Sequence, residues 1–296
     1  MEHIKLGYQL ILALRPHQWL KNLLIFLPML MAHTLNSEAF LTALLAFIIF
    51  CLIASSCYLI NDIIDLESDR AHPRKRLRQL ASGKILVAHA IAVAAMLIII
   101  SMYLSTLIGL LFFITICIYF FMSLIYSIYI KEKIVIDIIF LAGFYTLRIF
   151  AGGVASDTMP SMWLLAFSIF FFHSLAAVKR QAELVDIIKR NKNEIMGRGY
   201  QANDLTILNI IALSSGYLSV LVLALYINSP DINALYSNPA ALWAICYLLL
   251  YWLTRMVFIT SRGGMSDDPI IFAIRDRVSL LCFLIAIIFI FYGAFL

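Results

Sequence analysis

The chain has 296 residues, a formal net charge of +5, 63% hydrophobic residues and only 13% charged ones, with a mean hydropathy of +0.96. A soluble globular chain is roughly 45–50% apolar and about 25% charged, so a single water-facing fold cannot hide this much apolar side chain, and the composition reads as a polytopic membrane protein. The same figures exclude disorder and collagen-like structure, and 12 Gly with 7 Pro leave no low-complexity linker.

In chain order, the first apolar stretch, Leu6 to Leu14, is broken by Arg15-Pro16 and lacks a small-residue cleavage site. Residues 1–20 are therefore expected to be a short interfacial helix ending near Trp19, not a cleavable signal. Nine apolar runs follow, at approximately 22–36, 39–60, 85–104, 106–130, 134–153, 161–178, 205–227, 240–254 and 278–296. Each is read as a spanning helix of the roughly 20 residues a bilayer requires. The first is short and carries Pro28, and 85–130 is divided because one helix of that length would overrun a bilayer. None shows the period-2 alternation of an outer-membrane barrel.

The basic residues support this division. Of the 22 Lys and Arg, 21 fall before the first run or in the connections after the second, fourth, sixth and eighth, and only Arg148 lies inside a run. The positive-inside rule then places the N-terminus and these connections in the cytoplasm. The long charged connections, 61–84 and 179–204, stand four helices apart, a position-only hint of two four-helix halves plus a ninth helix within a single domain, 1–296.

The connection after the second run begins Asn61-Asp62-Ile63-Ile64-Asp65-Leu66-Glu67-Ser68-Asp69. If the helix continues, 100° per residue puts Asp62, Asp65 and Asp69 on a face about 60° wide, with Glu67 pointing away. Three crowded carboxylates repel one another unless a cation sits among them, and oxygen ligands suit Mg2+ or Ca2+. Pro73 should stop the helix. Arg74, Lys75, Arg76 and Arg78 follow, and guanidinium groups beside metal-binding carboxylates suit a polyphosphate. A solvated loop would explain the basic residues alone, but topology makes little use of Asp.

The second long connection opens Lys179-Arg180-Gln181-Ala182-Glu183, directly after an aromatic run ending in His173-Ser174. Lys179 and Glu183 form an i,i+4 pair, either an ordinary surface pair or part of a site. Asp137 and Arg148 lie about 20° apart on the wheel and about 16 Å apart along the axis, so they share a face without touching. Charges inside a span are functional candidates by default, the alternative being structural pairing with neighbouring helices. His173 has no ligand-like partner and reads as a hydrogen-bonded helix residue. The five cysteines, without paired or metal-like spacing, read as inert packing residues.

These residues resemble the UbiA superfamily of membrane-embedded prenyltransferases over essentially the whole chain. Its N-D-x-x-D-x-x-x-D signature stands here as Asn61, Asp62, Asp65 and Asp69, followed by Arg78 and Ala81-Ser82-Gly83 in place of an R-P-x-x-S-G-like tail. The resemblance implies an all-α fold of nine transmembrane helices, two four-helix halves plus one around a lipid-open central cavity. It also implies Mg2+ on Asp62, Asp65 and Asp69. The chain departs from the aromatic prenyltransferases at the second signature, D-x-x-x-D, where it has Lys179 and Glu183. That K-R-x-x-E form resembles the decaprenyl-phosphate phosphoribosyltransferase branch, as do Arg15-Pro16, Gln18-Trp19, Lys21-Asn22, the Tyr126-Ser127 to Lys131 stretch, Arg148 before Ala151-Gly152, and Arg198-Gly199-Tyr200. The run Asp267-Asp268-Pro269 to Asp276-Arg277 is similar to UbiA-like membrane domains that in some bacteria follow a soluble phosphatase-like domain.

Two chemistries fit. In one, 5-phosphoribosyl diphosphate loses diphosphate to a metal held by the Asp face, and the phosphate of a polyprenyl phosphate attacks the anomeric carbon. In the other, a prenyl diphosphate ionises and alkylates an aromatic acceptor. Lys179 favours the first, since a cation there opposes a second Mg2+. The expected catalytic residues are Asp62, Asp65, Lys179 and Glu183. The expected substrate contacts are Arg15, Lys21, Asn61, Arg74, Arg78, Tyr126, Lys131, Arg148 and Arg180. A lipid or small-molecule transporter would share the midplane charges and repeated halves but has no need of three carboxylates at helical spacing. The expected setting is a bacterial plasma membrane, with polyprenyl lipid and a diphosphate donor as partners and no nucleic acid.

Overall fold

Apolar runs of this length satisfy their backbone polar groups internally only as helices, and helices are what form. A computed structural model describes residues 2–34, 36–72, 75–190, 197–265 and 268–295, and no β-strand is among its elements. The α-helices are α1 (Glu2–Ala13), α2 (Leu27–Met31), α3 (Ser37–Ile64), α4 (Leu66–Ala71), α5 (Val87–Ile108), α6 (Leu110–Ile128), α7 (Ile136–Ala155), α8 (Met162–Ile188), α9 (Leu205–Ile227), α10 (Trp243–Ser261), α11 (Pro269–Arg275) and α12 (Arg277–Phe295). Eight of them, α3, α5 to α10 and α12, are long and apolar enough to cross a membrane. The protein is an integral, multi-pass helical membrane protein.

The expected first span differs. Residues 16–31 form no long α-helix but an 11-residue 3-10 helix, Pro16–Phe26, followed by the five-residue α2. The interfacial helix also ends earlier than expected, at Ala13 rather than near Trp19. Pro16 supplies the reason, since proline starts a helix readily and cannot continue one. Elsewhere the ends follow capping chemistry. Asn36 accepts from the Ala39 amide (2.7 Å) to start α3, and Ser161 from the Leu164 amide (3.2 Å) to start α8. All five cysteines are free thiols.

The chain divides into two compact units, 1–131 with 147–159, and 132–146 with 160–296, so that one boundary falls within α7. In the first, α3 packs along α5, α6 and the 3-10 helix. Ala13, Leu59, Leu80, Ile85, Ala90, Ala94 and Leu97 form a buried cluster that ties α1 to α3 and α5. Phe50 meets Phe112 and Tyr119 edge-on at 6.3 and 5.2 Å. In the second, α8 packs along α9, and α10 against both. Ile138, Ala176, Ala177, Leu184, Tyr200, Leu208 and Val257 share its buried core. Asp268 and Asp276 in the acidic run are helix caps: Asp268 accepts from the Ile270 and Ile271 amides, and Asp276 from Ser279. Arg255 holds Asp276 through both terminal nitrogens (2.6 and 3.0 Å) and pulls its carboxyl down to about 2. Asp267 lies outside the described residues.

The 3-10 helix passes close to one glycine. A Cβ at Gly152 would stand 2.0 Å from the Ile25 carbonyl oxygen, so the two backbones approach as closely as they do only because no side chain intervenes. Gly152→Ala is expected to destabilise the protein by about 1–3 kcal/mol, the range of an overpacked core, read as a lower unfolding midpoint in detergent.

Candidate functional site

The first unit places its acidic face at the end of α3. The helix breaks at Asp65, yet the i→i−4 bonds continue across the break, from the Asp65 amide to Asn61 (2.9 Å) and from the Asp69 amide to Asp65 (2.8 Å). Asp62 and Asp69 are buried, and Glu67 is exposed, as the wheel requires. Three cations answer the carboxylates. Arg15 donates to Asp62 at 2.5 Å, Arg78 to Asp69 at 2.6 Å and to Asp62 at 3.2 Å, and Lys131 to Asp65. Asn61 donates its side-chain amide to Asp65 at 3.0 Å.

The three carboxylates expected to hold Mg2+ are thus each paired with a cation. Among the described residues no group of three or more His, Cys, Asp or Glu side chains is arranged to hold a metal ion. The repulsion that the ion would relieve is relieved by Arg15, Arg78 and Lys131. The residues nevertheless fit a hard divalent cation, because the donors are all carboxylate oxygens and Oδ1 of Asp69 is buried with no hydrogen-bond partner. Leaving such an oxygen unsatisfied is costly. Pro73 and Arg74 lie outside the described residues.

Other expected contacts in this unit lie deeper. Arg148 is buried, donating to Asn22 (2.7 Å) and to the Tyr119 hydroxyl (2.8 Å), with its guanidinium 5.0 Å from the Tyr119 ring centre. Expected as a substrate contact, it lies as a buried cation that joins α7 to the 3-10 helix and α6. Lys21 is also buried on the 3-10 helix, and Tyr126 is half-buried.

In the second unit a buried chain of polar groups runs through α7, α8 and the segment before α9. Arg180 has zero side-chain exposure and donates Nε to Asp137 (2.5 Å) and Nη1 to both oxygens of Glu183 (2.7 and 2.6 Å). Tyr200 donates its hydroxyl to Asp137 (2.6 Å) and accepts from the Val135 amide (2.9 Å). Burial, and then the bond to Asp137, push the Tyr200 phenol above the usual tyrosine range, so it stays a donor. Val135 takes φ 69°, which a β-branched residue rarely adopts. Arg180 was expected to contact substrate. The structure places it buried, bonded to the carboxylates of Asp137 and Glu183, and Glu183 is paired from i−3. Lys179 and Glu183 are half-buried one turn apart on α8. His173 shares a 2.8 Å hydrogen bond with Ser215, as a helix histidine should. Sequence reasoning flagged Asp137 as a charge needing a partner but did not find Arg180 or Tyr200, which are 43 and 63 residues away.

The sequence profile of the UbiA prenyltransferase family matches residues 22–257. The chain belongs to that family. It is therefore a member of a family of enzymes, and among relatives of this UbiA chain is an uncharacterized protein, y4nM, of Sinorhizobium fredii. That protein is 35% identical over 90% of this chain but only 52% of its own length, so the chain spans about half of it. The decaprenyl-phosphate phosphoribosyltransferase of Mycolicibacterium smegmatis is 32% identical over 93% of this chain and 89% of its own. A UbiA homolog from Archaeoglobus fulgidus, solved with GPP and Mg2+, superposes with a TM-score of 0.69 at 17% identity, covering 95% of this chain and 99% of that one. This last likeness shows the UbiA fold.

If Arg180 serves Asp137 and Glu183, Arg180→Met strands a buried carboxylate and should cost about 3–5 kcal/mol. The double variant Arg180→Met with Asp137→Leu should recover most of that loss. Unfolding in detergent checks both.

Proposed function

We propose that the protein is a Mg2+-dependent transferase that moves a phosphoribosyl group from 5-phosphoribosyl diphosphate to a polyprenyl phosphate and releases diphosphate. The observation that carries this reading is the cation at the second signature, Lys179, in a chain 32% identical over 93% of its length to a decaprenyl-phosphate phosphoribosyltransferase. An enzyme that holds a second metal at that corner is opposed by Lys179, whereas one that joins a diphosphate donor to a phosphate acceptor gains from a fixed positive charge.

Asp62, Asp65 and Asp69 would hold Mg2+, which when bound neutralises the departing diphosphate. Arg15, Arg78 and Lys131, now paired with these carboxylates, are the side chains that would turn to phosphate oxygens, and Asn61 keeps Asp65 in place. Lys179 is assigned to a phosphate oxygen, and Glu183 is oriented by Arg180. The acceptor phosphate oxygen forms a bond to the anomeric carbon as the bond from that carbon to diphosphate breaks, its electron pair leaving with diphosphate. No proton transfer is needed, so alignment and charge neutralisation carry the catalysis.

A second reading, prenyl transfer from a prenyl diphosphate to an aromatic acceptor, is favoured by the fold's likeness to the homolog solved with GPP and Mg2+. In either case residues 16–31 would supply a ninth crossing. At about 2.0 Å per 3-10 residue and about 1.5 Å per α residue they reach roughly 30 Å, one hydrocarbon core. The N-terminus and both charged connections would then face the cytoplasm of a bacterial plasma membrane.

Purified protein with Mg2+ should transfer label from phosphoribosyl diphosphate to polyprenyl phosphate and stop in EDTA. Asp62→Ala and Asp65→Ala should each lower turnover by at least about 100-fold while remaining folded, and Lys179→Asp should lose the transfer. Consumption of a prenyl diphosphate with an aromatic acid instead, or phosphoribosyl transfer surviving in Lys179→Asp, would overturn the donor assignment.

A further inference from the structure

Arg15 reaches Asp62 from an unusual backbone. It takes φ 56° and ψ 59°, in the left-handed region, although it is not glycine and precedes Pro16, a position that favours extended backbone. Such a conformation costs on the order of 1–3 kcal/mol and persists only where the surroundings impose it. The surroundings here are one face of α3.

Ser55, Tyr58 and Asp62 are spaced i, i+3, i+7, within about 60° on the wheel. The buried Ser55 hydroxyl accepts from the Trp19 indole (3.0 Å) and donates to the Leu14 carbonyl (3.0 Å). It thereby bridges the residues on either side of Arg15. The Leu14 amide closes α1 by donating a hydrogen bond to the Leu10 carbonyl (3.1 Å), and the Gln18 amide donates to the Arg15 carbonyl (2.8 Å), so the turn is pinned from both directions. The guanidinium then lies 5.3 Å from the Tyr58 ring centre and 2.5 Å from Asp62. The strain fixes where the guanidinium starts from.

We infer that Ser55 and Trp19 are positioning residues that hold Arg15 in this left-handed turn, so that its guanidinium is preset at the carboxylate cluster to meet a diphosphate. The inference rests on the proposed diphosphate site but is indifferent to which group the diphosphate carries. In this role neither residue is required to touch the ligand. Each acts through Arg15, with Tyr58 restricting the plane of the guanidinium.

The test is a double-mutant cycle on the purified full chain, read as the affinity for inorganic diphosphate in the presence of Mg2+ by calorimetry. Ser55→Ala is expected to weaken binding about 10-fold, the scale of one or two lost hydrogen bonds, and Ser55→Thr, which keeps the hydroxyl, to stay within about 3-fold. In an Arg15→Ala background Ser55→Ala should have no further effect, because coupled residues are not additive. Trp19→Phe, which removes only the indole donor, should repeat the pattern if Ser55→Ala does not fold. An undiminished affinity in a folded Ser55→Ala protein, or an equal loss with and without Arg15, would overturn the positioning role while leaving the transferase reading standing. Failure of the wild type to bind Mg2+ and diphosphate would instead overturn the transferase reading, and this role with it.

Discussion

A charge inside a helical membrane bundle must be paired, because the surrounding hydrocarbon offers it no water. With 13% charged residues, this chain spends few charges in its spans, and those few organise each unit. Arg148 finds Asn22 and Tyr119. Asp137 finds Arg180 and Tyr200. At the end of α3 the carboxylates of Asp62, Asp65 and Asp69 are matched by Arg15, Arg78 and Lys131. Much of the irregular backbone, from the turn at Arg15 to Val135, lies beside one of these pairings.

The same constraint separates charges that hold the fold from charges that can act. Arg180 is buried against Asp137 and Glu183, so moving it would leave buried carboxylates uncompensated, and Arg148 is buried against the neutral Asn22 and Tyr119. Arg15 and Arg78 remain partly exposed, with 20% and 28% of the side chain accessible, and their carboxylate partners are the residues a divalent cation would take over. A cation displaced from a carboxylate needs another anion, and an arriving phosphate supplies it. One oxygen of this acidic face, Oδ1 of Asp69, has no hydrogen-bond partner.

Sequence alone determined the helical membrane class, the long spans from α3 onward and the shared face of Asp62, Asp65 and Asp69. These follow from hydropathy over some 20 residues and from a fixed 100° per residue, both local properties. The N-D-x-x-D-x-x-x-D spacing was likewise legible, and the family match over residues 22–257 agrees with it. Only the tertiary structure decided which charges pair. The bond from Arg180 to Asp137, 43 residues away, was not legible because no local rule links them. The stretch 22–36 looked like a span because it is apolar, but its first residues lie in a 3-10 helix whose Ile25 backbone sits where Gly152 leaves no side chain. Ser55 gave no signal, since a serine in an apolar helix is ordinary until Leu14 and Trp19 are brought to its hydroxyl. Pairing and close approach are properties of distance in space, and the chain reveals them only once it is folded.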